Sequence, residues 1–172
     1  MLRILKRKSM SDKIVLDACC GSRMFWFDKK DTRALFIDKR RESKQIDIGT
    51  PGTVGRKPVI VNPDIIANFK NLPFEDNTFH HVVFDPPHLE KVGNGIISFK
   101  YGRLDSTWKN DLKKGFSECF RVLKPNGTLI FKWAETQIKL SEVLKLTDKK
   151  PLYGHKSGKK MGTHWVAFIK TD

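Results

Sequence analysis

Short apolar runs separated by turn residues recur along the chain. Most of them are rich in β-branched or aromatic residues, which is typical of buried strands. Five strand regions are predicted in this way: residues 13–19, 34–37, 58–66, 80–84 and 128–133. The Asn62-Pro63 pair interrupts the third region, because proline cannot donate a ladder hydrogen bond.

Three helices are predicted between these runs. Between Thr107 and Leu123, apolar residues recur every three or four positions, which predicts an amphipathic helix. A second helix is predicted from Ser22, an N-cap residue type, to about Lys30, and a short third one covers residues 138–146. Polar, Gly-containing stretches at 41–57 and 91–104 predict loops.

The last part of the chain has the pattern of a β-hairpin. Two strand-like runs, 151–155 and 163–170, flank a basic turn that contains glycine. Strands that alternate with helices favour an α/β fold with a mostly parallel sheet covered by helices on both faces. The 172 residues fit one domain, 1–172, whose first 12 residues form a basic N-terminal segment.

Charge changes the picture more than any other feature of composition. The chain has 33 Lys and Arg against 19 Asp and Glu, a formal net charge of +14. Such an excess favours a polyanionic partner, with nucleic acid first, and the clustering of basic residues favours it over a surface that is basic only for solubility. Three cysteines, two of them adjacent, do not form a disulfide framework and favour reduced thiols.

The cellular location is predicted from the N-terminal segment and from the length of the apolar runs. We expect a cytoplasmic protein without a membrane partner, because no apolar run approaches the ~20 residues of a membrane span. The basic N-terminus also lacks the features of a signal peptide.

Three strand ends carry the chemistry expected of a nucleoside site. In sheets of this kind ligands bind beyond the carboxyl ends of the strands. The first strand ends in Asp17, followed by small residues that allow a ligand close to the main chain: Ala18, Cys19 and Gly21. An acid at the position of Asp17 can accept a hydrogen bond from an ammonium group or orient the turn.

The second strand ends at Asp38, about twenty residues after the glycine turn. Acidic side chains contact ribose hydroxyls at this spacing, although an exposed strand-end carboxylate has the same appearance. Beside the small-residue turn of the first strand, the ribose role is favoured.

The fourth strand ends in the most specific motif, Asp85-Pro86-Pro87-His88. Prolines fix φ and hold the main chain rigid. The Asp85 carboxylate and the Pro86 carbonyl are therefore expected to accept both N–H bonds of a planar amine, with the His88 ring against a flat base. The alternative is a rigid loop with a solvated aspartate.

A basic glycine turn lies inside the predicted C-terminal hairpin. His155, Lys156, Lys159 and Lys160 are candidates for contacts with phosphate groups of a nucleic acid, although a solvated turn fits the pattern equally well. No Cys or carboxylate joins the histidines at ligand spacing, so no metal site is expected.

With these motifs, the chain resembles class I, Rossmann-like S-adenosylmethionine-dependent methyltransferases. The Asp85–His88 segment is similar to the (D/N)-P-P-(aromatic or His) motif of amino-methyltransferases, including N6-adenine enzymes. Residues 72–79, LPFEDNTF, and 121–128, RVLKPNGT, resemble stretches that precede the fourth and fifth strands of the class. The matches keep the family's order over residues 13–133.

The resemblance implies a seven-stranded sheet, S-adenosyl-L-methionine as cofactor, and a set of site residues. Asp17, Ala18, Cys19 and Gly21 correspond to the turn at the methionine end of the cofactor, and Asp38 to the ribose acid. The adenine-binding region corresponds to Asn68 and Phe69, and the catalytic loop, which also borders the cofactor at Asp85, to Asp85, Pro86, Pro87 and His88. Arg23 stands where the family often has a glycine, which implies a modified contact near the cofactor carboxylate.

The function expected from these features is methylation of an exocyclic amino group on a nucleic-acid base, adenine N6 in DNA or RNA. Two alternatives stay open. One is a methyltransferase acting on a small molecule or a protein, and the other is a catalytically silent nucleic-acid-binding module.

Overall fold

Seven strands form one sheet in the computed structural model, which describes residues 12–48, 55–93, 96–157 and 162–171. Their order across the sheet is β5-β2-β1-β6-β7-β9-β8. The neighbours among the first five are parallel, and β9 runs antiparallel to both β7 and β8. The strands are β1 (Val15–Asp17), β2 (Ala34–Asp38), β5 (Ile65–Ile66), β6 (Phe79–Phe84), β7 (Leu123–Ala134), β8 (Tyr153–Ser157) and β9 (Thr163–Ile169).

This architecture confirms the predicted fold class, a Rossmann-like, mostly parallel seven-stranded sheet with a C-terminal antiparallel pair. The chain builds outward from β1 to β5 and then returns to place β6 on the other side of β1. Such a reversal leaves a crevice at the carboxyl ends of the two central strands. The positions of Asp17 and Asp85, at the ends of β1 and β6, are therefore fixed by topology.

The segment after β2 folds differently from the prediction. Residues predicted as a loop at 41–57 contribute to a separate antiparallel hairpin, β3 (Glu42–Ile48) and β4 (Gly55–Val61), outside the main sheet. The predicted third strand region, 58–66, is thus divided: residues 58–61 belong to β4 of this hairpin, and only the two-residue β5 joins the main sheet. The hairpin buries its own apolar side at Val59 and Val61, while Ile60 between them is exposed.

Helices cover one face of the sheet. The helix α2 (Trp108–Val122) and the short α3 (Leu140–Val143) with a 3₁₀ turn (Leu144–Leu146) match two predicted helices. The main core includes Leu112 and Phe116 of α2. Residues of five strands complete it: Leu16, Leu35, Val82, Phe84, Leu129, Phe131, Val166 and Phe168. A third helix, α1 (Ile96–Tyr101), forms within a stretch that was predicted to be a loop.

The opposite face lacks the predicted helix after Ser22, because residues 21–30 form turns and bends. Aromatic side chains explain the difference. The Trp26 ring packs edge-on against Phe36 of β2, with 4.8 Å between ring centroids. A small core of Cys20, Ala34 and Phe36 with Val15 and Trp26 results, and no helix of the described ranges contributes to it.

Candidate active site

A cleft opens at the carboxyl edge of the sheet, beyond β1, β2 and β6. The space that it encloses is about 700 Å³ when the open mouth and the solvent in it are included. Nine of the residues predicted from the sequence line it: Ala18, Cys19, Gly21, Asp38, Phe69, Asp85, Pro86, Pro87 and His88. Residues that sequence reasoning missed also line it, among them Phe25, Arg40, Lys100, Tyr101 and Gly102.

Asp17 lies behind the cleft rather than on its wall. The side chain is fully buried and accepts hydrogen bonds from Trp26 Nε1, at 2.8 Å, and from the Cys19 amide, at 3.3 Å. Of the two possibilities left open for this acid, the structure therefore shows the one in which it orients the turn. Burial, opposed by the bond from Trp26, raises its pKa from 3.8 to about 7.

The turn after β1 is connected directly to the end of β2. Gly21 has φ of +48°, a left-handed conformation that glycine adopts without strain. Its amide donates to Asp38 Oδ2 at 3.0 Å. The other oxygen, Asp38 Oδ1, accepts the Arg40 amide at 2.9 Å and its Nε at 3.3 Å. Two hydrogen bonds thus occupy Oδ1, whereas Oδ2 accepts only one, so Asp38 can still accept a hydroxyl group from a ligand at Oδ2.

Arg23 does not line the cleft, so the contact with the cofactor carboxylate predicted for it is wrong. Its guanidinium lies 3.7 Å from the centroid of the Phe36 ring and forms an ion pair with Asp64 at 3.1 Å. It also donates to the Asn62 carbonyl at 2.9 Å. These contacts tie the turn after β1 to the segment before β5, because Asp64 reaches this side of the sheet.

The predicted adenine-reading pair separates in the structure. The Asn68 carbonyl oxygen Oδ1 accepts the Lys70 amide at 3.1 Å, which closes a turn outside the cleft. Phe69 lines the cleft, and its ring meets Phe84 edge-on at 5.2 Å between centroids. Only Phe69 of the two is thus in position to touch a ligand.

Asp85 and Lys132 form an ion pair at the end of β6. Lys132 Nζ lies 2.7 Å from Asp85 Oδ2, and the two side chains are 19% and 21% exposed, respectively. Phe84 pairs with Phe131 in the register of β6 and β7, so the next residue on each strand points to the same face. Desolvation raises the pKa of Asp85, and Lys132 opposes this effect. Lys132 was not predicted as a site residue, because its contact with Asp85 depends on the register between β6 and β7, which the sequence does not show.

The double-proline corner packs against α1 and the residue that follows it. Gly102 has φ of +73°, and a Cβ there would lie 2.8 Å from Pro87 Cγ. His88 contacts two rings edge-on, Tyr101 at 5.7 Å and Trp133 at 6.2 Å between centroids. Burial, together with the Lys132 charge, lowers the pKa of His88 to about 4, so this ring is neutral at pH 7.

The basic hairpin is near the same edge of the sheet but outside the cleft. His155 and Lys156 lie on β8 and are exposed, whereas Lys159 and Lys160 fall outside the described residues. The Glu135 amide donates to the Gly162 carbonyl at 3.0 Å, which joins the end of the hairpin turn to the end of β7. Two strands, β7 and β9, lie between β8, which carries Lys156, and β6 at the border of the cleft.

Within the described residues, no group of three or more His, Cys, Asp and Glu side chains could hold a metal ion. None of the helices in that part of the chain is long and apolar enough to cross a membrane.

The cleft fits an adenosyl cofactor in its chemistry. Asp38 offers carboxylate acceptors for hydroxyl groups, the wall includes the apolar Phe69 ring, and the glycine turn lets a ligand approach the backbone. A Cβ on Gly21 would have only the Lys100 carbonyl within 4 Å, at 3.9 Å. A side chain at position 21 is therefore disfavoured by the left-handed backbone conformation and not by lack of space.

The chain is similar to known proteins in structure but not in sequence. No protein-family model matches the chain, and no curated protein matches it at a significant level. Solved structures do match. A methyltransferase dependent on S-adenosylmethionine from Methanosarcina mazei has a TM-score of 0.53 at 15% identity, and the match covers 98% of this chain and 97% of the other. The chain has the fold of S-adenosylmethionine-dependent methyltransferases.

Two further structural matches act on different substrates. The 1,6-didemethyltoxoflavin-N1-methyltransferase of Burkholderia thailandensis, solved with S-adenosylhomocysteine, has a TM-score of 0.52 at 13% identity over 92% of this chain and 71% of its own. A 16S rRNA (adenine(1408)-N(1))-methyltransferase from Catenulisporales acidiphilia has a TM-score of 0.52 at 10% identity over 96% and 90%. The fold is thus shared by enzymes for small molecules and for RNA.

Proposed function

We propose that this protein is an S-adenosylmethionine-dependent methyltransferase that methylates the exocyclic amino group of a nucleic-acid base, adenine N6 in DNA or RNA. One observation carries the proposal: the Asp85 carboxylate and the double-proline corner line the same cleft as the Gly21 turn and Asp38. A nucleoside cofactor and an amine can therefore meet in one cavity.

Asp38 and Gly21 are the residues proposed to hold the cofactor. Asp38 would accept the ribose hydroxyls, Phe69 would pack against the adenine, and the main chain of the turn from Ala18 to Gly21 would border the methionine end. S-adenosylmethionine supplies a methyl group on a positively charged sulfur, so the donor is activated before it binds. The protein then contributes orientation and electrostatics.

Asp85 is the proposed acceptor for the amine that is methylated. Its Oδ2 is engaged by Lys132 at 2.7 Å, which leaves Oδ1 for an N–H of the substrate. The Pro86 carbonyl is proposed to accept the second N–H, because the prolines hold that peptide rigid. With both N–H bonds directed in this way, the nitrogen lone pair can point at the methyl group.

His88 and Tyr101 are proposed to form the wall against which the base lies. The imidazole is uncharged at pH 7, because the pKa of His88 is lowered to about 4. A neutral ring does not repel the positively charged sulfur, and its face can pack on a flat base. A base taken from a duplex must first be flipped out, at a cost of a few kcal/mol.

Charge supports a nucleic acid over a small molecule as substrate. The formal net charge is +14, and exposed basic residues border the cleft at Lys39 and lie on β8 at Lys156. A polyanion with many phosphate groups gains from such a surface, whereas a small neutral substrate does not.

The proposal is tested by transfer of a tritiated methyl group to DNA, to RNA and to a small-molecule extract, followed by mass spectrometry of nucleosides. We expect label in N6-methyladenine from DNA or RNA, and loss of transfer in Asp85→Ala. Asp148→Ala, which removes an exposed carboxylate far from the cleft, is the matched control and should stay active. Label confined to the extract, or full activity of Asp85→Ala, would refute the assignment.

A further inference from the structure

The Lys132 ammonium lies beside three side chains, two of which, Asp85 and Phe25, line the cleft. Its ammonium is 2.7 Å from Asp85 Oδ2, 5.5 Å from the centroid of the Phe25 ring and 5.7 Å from that of Trp165. The two rings meet edge-on with 5.5 Å between their centroids. Cations within about 6 Å of an aromatic centroid are attracted to the ring, so three parts of the fold fix one ammonium group.

These contacts come from separate elements of the chain. Phe25 belongs to the turns after β1, Trp165 to β9 and Lys132 to β7. Trp165 is paired with Lys132 in the register of β7 and β9, so the ring and the ammonium share one face of the sheet. The position of Lys132 is therefore preorganised by the sheet and does not depend on a bound ligand.

The surroundings of Asp85 explain why a fixed cation matters there. Burial disfavours the charged form of Asp85, and Asp17, at the end of the neighbouring strand β1, disfavours it further once Asp17 is itself ionised. The Cys19 thiol and the neutral His88 also border Asp85, and the pKa of the thiol is raised well above 9, chiefly by burial. Lys132 is the cation that contacts the Asp85 carboxylate directly.

We propose that Lys132 is a positioning residue for Asp85, which holds one carboxylate oxygen and keeps the side chain an anionic acceptor whose other oxygen faces the amine. This inference rests on the proposed function. A protonated Asp85 would present an O–H where the substrate presents an N–H, so two donors would face each other. Lys132 acts through Asp85 and does not itself touch the reacting atoms.

The first test is the pH dependence of methyl transfer in Lys132→Met and Lys132→Arg. In Lys132→Met the acidic limb of the kcat profile should move up by about one pH unit or more, because an opposite charge at this distance lowers a carboxyl pKa by roughly 1–3. At pH values below both limbs, activity should fall about tenfold for a shift of one unit and recover at higher pH, while affinity for S-adenosylhomocysteine stays within about threefold. Lys132→Arg keeps the positive charge, so the acidic limb of its kcat profile should lie at the same pH as in wild type.

Lys124→Met is the matched control. Lys124 is on the same strand, at the opposite end of the sheet, where its Nζ contacts His80 Nε2 at 2.9 Å. This variant should leave the pH profile of transfer unchanged. An unshifted acidic limb in Lys132→Met, or loss of cofactor affinity together with activity, would overturn the positioning role.

A second measurement keeps the test independent of turnover. The Asp85 carboxyl can be titrated by ¹³C NMR in the free protein, with its signal assigned by its absence in Asp85→Asn. We expect the Asp85 pKa to be higher in Lys132→Met than in wild type and in Lys124→Met. Equal titration curves would overturn the proposal about Lys132 even for a protein that methylates nothing, whereas a shifted curve without any methyl transfer would count against the proposed function alone.

Discussion

The indole of Trp26 donates a hydrogen bond, 2.8 Å long, to the fully buried carboxyl group of Asp17. The contact joins the turns after β1 to the strand end behind the cleft. It also places an ionisable group where water does not reach, so that burial raises the Asp17 pKa to about 7. Folding thus favours a protonated Asp17 over much of the range from pH 4 to pH 7.

This relationship predicts how stability depends on pH. Because the pKa of Asp17 is 3.8 in the unfolded chain and about 7 in the folded one, the folded state binds the proton more tightly. The stabilising contribution is complete below pH 3.8 and is lost as the pH rises through about 7. Between pH 5 and pH 8, wild type should lose about 2 kcal/mol that Asp17→Asn does not lose.

Urea unfolding at several pH values measures this difference. Asp148→Asn changes an exposed carboxylate and should follow the wild-type pH dependence. Parallel curves for wild type and Asp17→Asn would show that Asp17 is ionised in the folded protein at pH 5.

Arg121 should be a strong contributor to stability. Its guanidinium donates to the carbonyls of Phe74, at 2.8 Å, and Leu72, at 3.0 Å, and to the Glu118 carboxylate, at 2.7 Å through Nε. Arg121→Ala should lower the free energy of unfolding by about 1–3 kcal/mol, because charged hydrogen bonds to partly buried acceptors are lost. Arg121→Lys should recover only part of it, since one ammonium cannot span these acceptors.

Lys113→Ala, an exposed change on the same helix, is the control for Arg121. Chemical denaturation of the three variants measures the effect. A loss below about 0.5 kcal/mol for Arg121→Ala would place it among ordinary surface substitutions.

A methyl group at Gly115 of α2 should be destabilising even though alanine is the better helix former. A Cβ there would lie 2.6 Å from Phe84 Cζ and 2.8 Å from Phe69 Cδ2, so the two rings must move. Overpacking of a core costs about 1–3 kcal/mol, more than the ~1 kcal/mol that alanine gains over glycine in a helix. Denaturation of Gly115→Ala tests this sign, and Ser117→Ala, exposed on the same helix, should change stability by less than about 0.5 kcal/mol. A stabilised Gly115→Ala would contradict the packing described for Phe69 at the cleft.

Binding to RNA or DNA should weaken steeply with salt if phosphate contacts dominate. The logarithm of the binding constant should fall linearly with the logarithm of salt concentration, by about 0.9 per phosphate neutralised on B-DNA. Lys156→Ala should reduce that slope by about 1. Lys150 precedes the first residue of β8, and Lys150→Ala should leave the slope unchanged. Fluorescence anisotropy over a salt series measures the slopes. Equal slopes for the two variants would remove the hairpin from the nucleic-acid surface.

Features of the fold that depend on local pattern were predictable from the sequence. The apolar run before Asp17, the helical spacing of α2 and the hairpin of β8 and β9 each carry their own signal. The hairpin of β3 and β4 was missed because its strands are mostly polar on one side. The helix expected after Ser22 does not form: residues 21–30 make turns and bends, and Trp26 packs on Phe36 of β2, a contact with a distant strand that the local pattern does not indicate.

The candidate site was predictable where it follows strand ends, as for Asp38 and Asp85. Contacts across the sheet were not predictable, because they depend on register between strands far apart in sequence. Lys132 is the clearest case, since it is 47 residues from Asp85 and nothing near it in the sequence indicates the ion pair. Asn68 was predicted as a site residue but does not line the cleft, because its side chain closes a local turn with the Lys70 amide.

The central claim is that the cleft beyond β1 and β2 holds an adenosyl cofactor through Asp38. Calorimetric titration of the protein with S-adenosylhomocysteine tests it most directly, with Asp38→Ala and Asp85→Ala measured beside wild type. We expect the wild-type protein to bind one molecule per chain. Asp38→Ala should bind at least about tenfold more weakly, which is a loss of about 1.4 kcal/mol or more of binding free energy. Asp85→Ala should bind with near wild-type affinity. No binding to the wild-type protein, or equal affinity in Asp38→Ala, would contradict the claim.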